Sequence, residues 1–156
     1  VHPYSLNMDN VIFKKGFHEL NVDELYQILD LRSKVFVLEQ HCLYADIDFK
    51  DEMSVHYWMK DEHKIIAYLR LIPPGIRFKE HAISRVVTDS KYRHQGLAKK
   101  LIQQALDDIH GHPVRISGQA YLKHYYETFG FHVVSDLYLE DDIPHYEMLN
   151  PNDHSS

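Results

Sequence analysis

The sequence predicts an α/β fold built on one mixed sheet with helices on both faces. Three observations carry that reading. Short runs rich in β-branched and aromatic residues alternate with two longer stretches in which apolar residues recur every three or four positions. Short turns join the strand-like runs of the first half, as hairpins require. Helix-length segments separate those of the second half, as crossover connections require. Finally, the chain has 156 residues, the length of one ordinary domain, and no repeat, low-complexity segment or linker divides it.

Residues 11–18 read as the first strand. Asn21 offers an N-cap for a helix beginning near Val22, because its side chain can accept a bond from an unpaired first-turn amide. Leu25, Ile28, Leu29, Val35 and Phe36 follow at helical spacing and form a stripe suited to packing on a sheet, with Arg32 as its one polar member. Residues 37–53, which hold Cys42, Tyr44, Asp46, Asp48 and Asp51, read as a loop or a broken second helix. Two strands are expected next, Ser54–Lys60 and Ile65–Ile72, joined by the turn-like Asp61-Glu62-His63-Lys64 and ended by Pro73-Pro74-Gly75. Residues 82–88 form another strand. Leu97–Ile109 is an amphipathic helix stopped by Gly111 and Pro113. Strand Val114–Ser117, helix Tyr121–Phe129 with Gly130 as its cap, strand Phe131–Ser135 and a last strand around Ile143–Leu149 complete the pattern. The folded core is expected at about 11–150, with Pro151–Ser156 frayed.

Composition narrows the function classes. Hydrophobic residues make up 44% and charged residues 26%, and Gly and Pro number only 6 each, which excludes disordered and collagen-like chains. The net charge of −6 argues against a nucleic-acid partner, since a phosphate backbone calls for a basic face. The single cysteine, Cys42, allows no internal disulfide and no thiolate zinc site, and fits a reducing, cytoplasmic setting. No basic-then-apolar leader opens the chain and no run approaches about 18 apolar residues, so neither a signal peptide nor a membrane span is expected. Although there are 13 histidines, none forms a compact ligand set such as His-Glu-x-x-His, and no catalytic metal is expected.

The segment most suggestive of chemistry is Arg93-His94-Gln95-Gly96-Leu97-Ala98, between the strand at 82–88 and the following helix. A glycine at such a turn allows close backbone approach, and the helix start presents amides without intrahelical acceptors. Together they can cradle an anion, with Arg93, Lys99 and Lys100 adding positive charge. The plainer alternative is an ordinary loop with a solvated basic face. Neither a P-loop nor a three-glycine dinucleotide fingerprint is present.

Arg93–Ala98 resembles the Arg/Gln-x-x-Gly-x-Gly/Ala signature of the GNAT N-acetyltransferases, in which main-chain amides hold the pyrophosphate of acetyl-CoA. The stretch Gln119–Phe131 resembles that family's second cofactor segment, with Tyr126 four residues before Gly130. Phe36-Val37-Leu38-Glu39-Gln40-His41-Cys42, together with Tyr44, Asp48, Gln119-Ala120 and Glu140–His145, is similar to the ElaA-like branch of small acetyltransferases. The matches run in order over roughly 32–149. Leu43, Ser84 and Ala98 depart from the usual proline and glycines, and the last of these bears on how tightly the pyrophosphate turn closes.

The resemblance implies a central, mostly antiparallel, twisted sheet flanked by helices, the acyl-CoA N-acyltransferase fold. It implies acetyl-CoA as cosubstrate, without a metal, and direct attack by a primary amine carried on a small molecule or peptide. Main-chain groups of Val86, Val87 and Thr88 would bind the pantetheine arm, and an N–H near Val87 or Thr88 would polarise the thioester carbonyl. Arg93, His94, Gln95, Gly96, Leu97, Ala98 and Lys99 would take the phosphates, and Gln119 would lie at the cofactor.

Tyr126 is the candidate acid toward the coenzyme A sulfur, against a plain packing role, with Tyr125 as its neighbour and competitor. For the base, Glu39, His145 and Asp48 remain open, and Glu39 could instead pair with the cationic amine. Arg85 could be a buried partner for such a carboxylate. Cys42 reads as pocket lining rather than a nucleophile. Acidic residues on the acceptor side, Glu39, Asp46, Asp48, Glu140, Asp141 and Asp142, would attract a cationic amine. A homodimer is compatible with the resemblance, and no membrane partner is expected. The alternatives are a non-catalytic acyl-CoA-binding module on the same fold and a protein-interaction domain, which would have no affinity for coenzyme A.

Overall fold

A computed structural model describes residues 11–40 and 46–153. Its strands are β1 (Phe13–Gly16), β2 (Val55–Asp61), β3 (Lys64–Ile72), β4 (His81–Thr88), β5 (Val114–Gln119), β6 (His132–Val133), β7 (Tyr138–Glu140) and β8 (Ile143–Asn150). The helices are α1 (Val22–Arg32), α2 (Leu97–Asp108) and the short α3 (Lys123–Glu127). The strands form one sheet in the order β1-β2-β3-β4-β5-β8-β6, with β7 also paired to β8. All neighbours run antiparallel except β4 and β5. This is the mixed sheet with flanking helices that the sequence predicts.

Local rules account for most element ends. Asn21 Oδ1 accepts from the Glu24 N–H at 2.7 Å, and Glu24 Oε1 accepts from the Asn21 N–H at 2.9 Å, a reciprocal cap of a kind whose loss costs about 1 kcal/mol. Gly130, at φ 101°, turns the chain after α3. The α2 stripe of Leu97, Leu101, Ile102, Ala105 and Leu106 is buried against Tyr57, Leu69, Leu71 and Ile83 on one face of the sheet. On the other face α1 buries Ile28 and Leu31, and the stretch after it Val35, against Trp58, Tyr68 and Val87.

Three features differ from expectation. Beyond Arg32 the α1 helix does not end but widens into a π-helical stretch, Ser33–Glu39, with the Gln40 N–H reaching back to the Val35 carbonyl at 3.0 Å. The burial also departs from the expected stripe: Leu31 is buried, while Leu29 on α1 and Phe36 on the π-helical stretch are half-buried. Strand β7 is new: it pairs with β8 across a two-residue turn, Asp141-Asp142, both at positive φ, the conformation favoured in tight hairpins. Fraying does not begin at Pro151. Asn152 is 2% exposed, and its Nδ2 donates to the carbonyls of Leu106 at 2.9 Å and Ile109 at 3.1 Å, fastening the chain to the end of α2.

Under α1 lies a charge network inside the fold. Arg32 and Arg70 are 0% and 1% exposed. Arg32 bonds Asp46 Oδ2 at 2.8 Å and Asp51 Oδ1 at 2.7 Å. Arg70 grips both oxygens of Asp48, at 2.8 and 2.9 Å, and Asp51 Oδ1 at 2.9 Å. His56 sits beside them, bonded to the Tyr68 hydroxyl at 2.6 Å and the Asp51 carbonyl at 2.8 Å. Removing one member of such a set typically costs about 3–5 kcal/mol, because its partner is left charged and buried.

The network makes stability depend on pH with a definite sign. Burial raises the Asp51 carboxyl, but bonds from Arg32 and the charges of Arg32 and Arg70 outweigh it and hold it below the ordinary range. Asp48 is likewise held well down by Arg70 despite its burial. Burial lowers His56, outweighing its bond to the Asp51 carbonyl. Each depressed group stabilises the fold above its ordinary pKa and loses that contribution progressively as pH falls from there through its lowered folded-state value. The melting temperature is therefore expected to decline as pH drops below about 6.5, from His56, and again below about 4, from the aspartates. Calorimetry over that range checks the sign; a melting temperature that rises on acidification would contradict it.

Candidate active site

The site follows from one irregularity in the sheet. β4 and β5 are paired only at His81–Val114 and Ala82–Arg115, at their starts. Beyond that they diverge, β4 running on to Thr88 and β5 to Gln119. The wedge between them is a cleft of about 670 Å³. Its walls are the free edge of β4 from Ile83 to Thr88 and, on β5, Ile116, Ser117 and Gln119. The mouth is bounded at one end by Arg93, His94 and Ala98, and at the other by Arg77, Phe78, Glu140 and His145. Glu39 and Gln40 lean in from the π-helical stretch.

Register assigns the faces. Cross-strand pairs share a face, so the pairs Arg70–Ser84, Ile72–Ala82, Ala82–Arg115, Ser117–Glu147, Gln119–His145 and Tyr138–His145 place all these residues on the α1 side. Helix α1 packs on β3 and β4 and leaves the β5, β8 and β7 part of that face free. Among the described residues a basin lies there, while α2 and α3 occupy the opposite side.

At the first end, Gly96 stands at φ 74° and ψ 20° as the cap of α2. The first bond within the helix runs from the Lys100 N–H to the Gly96 carbonyl at 3.1 Å, so the amides of Leu97, Ala98 and Lys99 lack intrahelical acceptors. A Cβ at Gly96 would meet nothing within 4 Å. Glycine is needed there for its left-handed backbone, not for space. His94, at φ 64°, adopts the same region without being glycine. The expected cradle, residues 93–98, is thus one turn at the cleft mouth, exposed at His94–Gly96 and anchored in the core by Leu97.

Arg93 points across the mouth. Its guanidinium is bound by both oxygens of Glu39, one through Nη1 and the other from Nη2 at 2.8 Å, and Nη2 also reaches the Thr88 carbonyl at 3.3 Å. The bond from Arg93, outweighing partial burial, lowers the Glu39 carboxyl. Gln119 Nε2 bonds Gln40 Oε1 at 3.4 Å, a second bridge between the π-helical stretch and the far wall.

Tyr126 forms part of the inner wall. Its ring lies on Gly118, where a Cβ would come within 3.3 Å of Cδ2 and Cε2, and meets Phe131 edge-on at 6.0 Å. Burial, then the neighbouring Tyr125 and Tyr121, pushes its phenol well above the ordinary tyrosine range, so it stays protonated. Tyr125 lines the cleft too, but its ring packs on Phe129 at 5.3 Å.

At the second end His145 is 6% exposed and stacked on Tyr138. Its Nδ1–H donates to the Ile143 carbonyl at 2.6 Å. In the neutral ring that bond leaves the lone pair on Nε2, which lies 3.7 Å from Glu140 Oε2. The other oxygen of Glu140 accepts from Arg77 Nη2 at 3.1 Å and from the Ser117 hydroxyl at 3.2 Å.

Most expected site residues line this one cleft: Glu39, Val86, Val87, Thr88, Arg93, His94, Ala98, Gln119, Tyr126 and His145. Gln95, Gly96, Leu97 and Lys99 belong to the turn at its mouth. The expectation for Asp46 and Asp48 changes. They sit in the arginine network, so neither is a free acceptor-side charge, and Asp48 is no base. His41, Cys42 and Tyr44 lie outside the described residues. The reading of the sequence passed over Arg77, Phe78 and Ser117, which carry no motif. It also passed over Arg32 and Arg70 as a pair, although each interrupts an apolar pattern. Among the described residues no group of three or more His, Cys, Asp or Glu is placed to hold a metal, and no helix is long and apolar enough to cross a membrane.

Comparison with known proteins agrees with this geometry. A family profile described as an acetyltransferase (GNAT) domain matches residues 17–149. A UPF0039 protein of Schizosaccharomyces pombe is 40% identical over 148 residues, covering 90% of this chain and 97% of the relative. The protein ElaA of Escherichia coli is 36% identical over 138 residues, covering 83% and 89%. Among solved structures, an acyl-CoA N-acyltransferase from Pseudomonas aeruginosa superposes with a TM-score of 0.85 at 38% identity, over 90% of this chain and 98% of that one. The crystal structure of E. coli ElaA gives 0.83 at 32%, with the same coverage.

Proposed function

The chain belongs to the GNAT acetyltransferases, in their ElaA-like branch, and we propose that it transfers an acetyl group from acetyl-CoA to a primary amine by direct attack. The observation that supports this most is the wedge between β4 and β5, with an amide-bearing turn at one end and, at the other, a histidine whose Nδ1 is bonded to the Ile143 carbonyl and whose Nε2 lies beside Glu140.

In this reading the free edge of β4 at Val86–Thr88 binds the pantetheine arm as an added strand would. The amides of residues 94–98 take the pyrophosphate, Lys99 adds charge there, and Gln119 closes the wall. The thioester supplies the acyl group. A main-chain N–H at Val87 or Thr88 polarises its carbonyl. The amine nitrogen forms a bond to the acyl carbon as the carbon–sulfur bond breaks. His145 Nε2 first takes the ammonium proton and passes it to solvent, Tyr126 gives its own proton to the departing sulfur, and the second proton, lost by the nitrogen on acylation, replaces it through solvent. Glu39, with both oxygens on Arg93, steadies that arginine at the cofactor mouth rather than taking the proton.

The acceptor is an amine carrying a single charge more readily than a polyamine. Asp46 and Asp48 are spent on arginines and Glu39 on Arg93, which leaves Glu140, shared with Arg77, and Asp141 at the basin. A panel of monoamines, polyamines, amino sugars and peptide amines, with release of free thiol from acetyl-CoA as the readout, tests the proposal. Turnover on at least one amine is expected, with monoamines ahead. Cofactor binding without turnover on any would favour the non-catalytic module.

A further inference from the structure

Arg85 lies in the middle of β4 with φ 54°, a left-handed conformation on a strand and at a residue that is not glycine. The β3–β4 register shows what it does. Arg70 faces Ser84 and Tyr68 faces Val87, so Arg85 and Val86 together oppose the single residue Leu69. This is a bulge of one residue, and it reverses the alternation beyond it. Val87 consequently packs in the α1 cluster and Val86 against the α2 cluster. In an unbulged strand the two would exchange faces. The main-chain groups that Val86–Thr88 present to β3 and to the cleft would exchange as well.

The side chain of Arg85 makes contacts that could hold this conformation. Its Nε is 2.8 Å from Asp46 Oδ1, Nη2 donates to the Asp46 carbonyl at 2.9 Å, and Nη2 is 3.5 Å from Asp48 Oδ2. The guanidinium also lies over the Phe36 ring, 5.8 Å from its centroid. Both aspartates are anchored independently, Asp46 by Arg32 and Asp48 by Arg70. Arg85 is therefore tied to a fixed frame that comprises the π-helical stretch and the segment before β2.

We propose that Arg85 is a positioning residue: clamped by Asp46, Asp48 and Phe36, it holds the left-handed bulge that decides which main-chain groups of Val86–Thr88 face the cleft. The catalytic consequence rests on the acetyltransferase reading above, whereas the bulge itself does not. Strained backbone at a strand edge persists where its surroundings over-determine it, and such strain gathers at functional sites.

Three variants and two readouts separate these levels. Arg85→Ala keeps the strained φ but loses the clamp, Arg85→Gly loses the clamp but adopts that φ freely, and Arg85→Lys keeps a charge for Asp46. The Asp46–Arg32 and Asp48–Arg70 pairs remain in all three, so the fold is expected to survive, as circular dichroism and melting would verify. Amide hydrogen exchange, which needs no turnover, is expected to show faster exchange over residues 82–88 in Arg85→Ala, with protection largely recovered in Arg85→Gly and partly in Arg85→Lys. With an active amine, kcat of Arg85→Ala is expected to fall about 10- to 100-fold, since small displacements of reacting groups cost that much. Acetyl-CoA affinity should weaken as well but less, by roughly 3- to 10-fold, because the pantetheine bonds of Val86–Thr88 are disturbed while the phosphate turn is untouched. Wild-type exchange in folded Arg85→Ala, or no recovery in Arg85→Gly, would overturn the clamp. A wild-type protein that fails to bind acetyl-CoA would overturn the functional reading and leave the exchange result standing.

Discussion

Replacing Gly96 with glutamate is expected to abolish measurable acetyl-CoA binding in isothermal titration while leaving the fold intact. Gly96 is exposed at the cap of α2, and an added Cβ meets nothing within 4 Å, so neither clash nor core loss threatens the structure. Two effects act on the cradle. A side-chain-bearing residue pays roughly 1–2 kcal/mol in the left-handed region, which tends to rotate the turn and misaim the amides that follow. The carboxylate also stands where a pyrophosphate would sit, and like charges so placed cost several kcal/mol, a loss of more than about 100-fold in affinity. Gly96→Ala separates the two, because it carries the strain alone and should weaken binding by roughly 5- to 30-fold. Should Gly96→Glu bind within about threefold of wild type, the phosphates lie elsewhere and the cradle assignment is wrong.

How much of this was legible in the sequence depends on the kind of signal. Helices α1 and α2 could be read because cap and stripe agree: Asn21 with Glu24 at one start, and Leu97 to Leu106 along one face. The turn at 93–98 could be read because glycine at a helix start has a narrow set of uses. The π-helical stretch could not, because the one side-chain anchor at its end, Glu39 on Arg93, joins residues far apart in sequence and leaves no mark on the local helical spacing. The β7–β8 hairpin was hidden by Asp141-Asp142, which reads as an acidic patch until both residues are seen at positive φ. Arg85 looked like a partner for a carboxylate, which it is. That it also bends β4 could not be seen without the pairing of β3 to β4. The acid cluster misled for a related reason. Sequence counts the charges of Asp46 and Asp48, but only the fold shows that arginines from α1 and β3 have consumed them.

His145→Gln is expected to reduce kcat more than Tyr126→Phe does, and the difference follows from what each proton transfer must overcome. A primary amine with an ordinary pKa near 10.4 is roughly 10³-fold protonated at pH 7.4, so a base that takes its proton within the site addresses a large handicap. A thiol has an ordinary pKa of about 8.5, so its thiolate leaves tolerably without help, and an acid at that position has less to contribute. Tyr126 is well held as a donor, since burial keeps its phenol protonated, but the step it assists is the easier one. We therefore expect kcat losses of about 10²–10³ for His145→Gln and about tenfold for Tyr126→Phe. Glutamine can keep the bond to the Ile143 carbonyl, so the hairpin should hold while the basic nitrogen is lost. The diagnostic readout is the pH profile of kcat: the limb that rises as the base loses its proton should vanish in His145→Gln and persist in Tyr126→Phe. If that limb persists in His145→Gln and vanishes in Glu39→Gln, the proton goes to Glu39 despite its pairing with Arg93, and the ring of His145 serves only to hold the β7–β8 hairpin against β5.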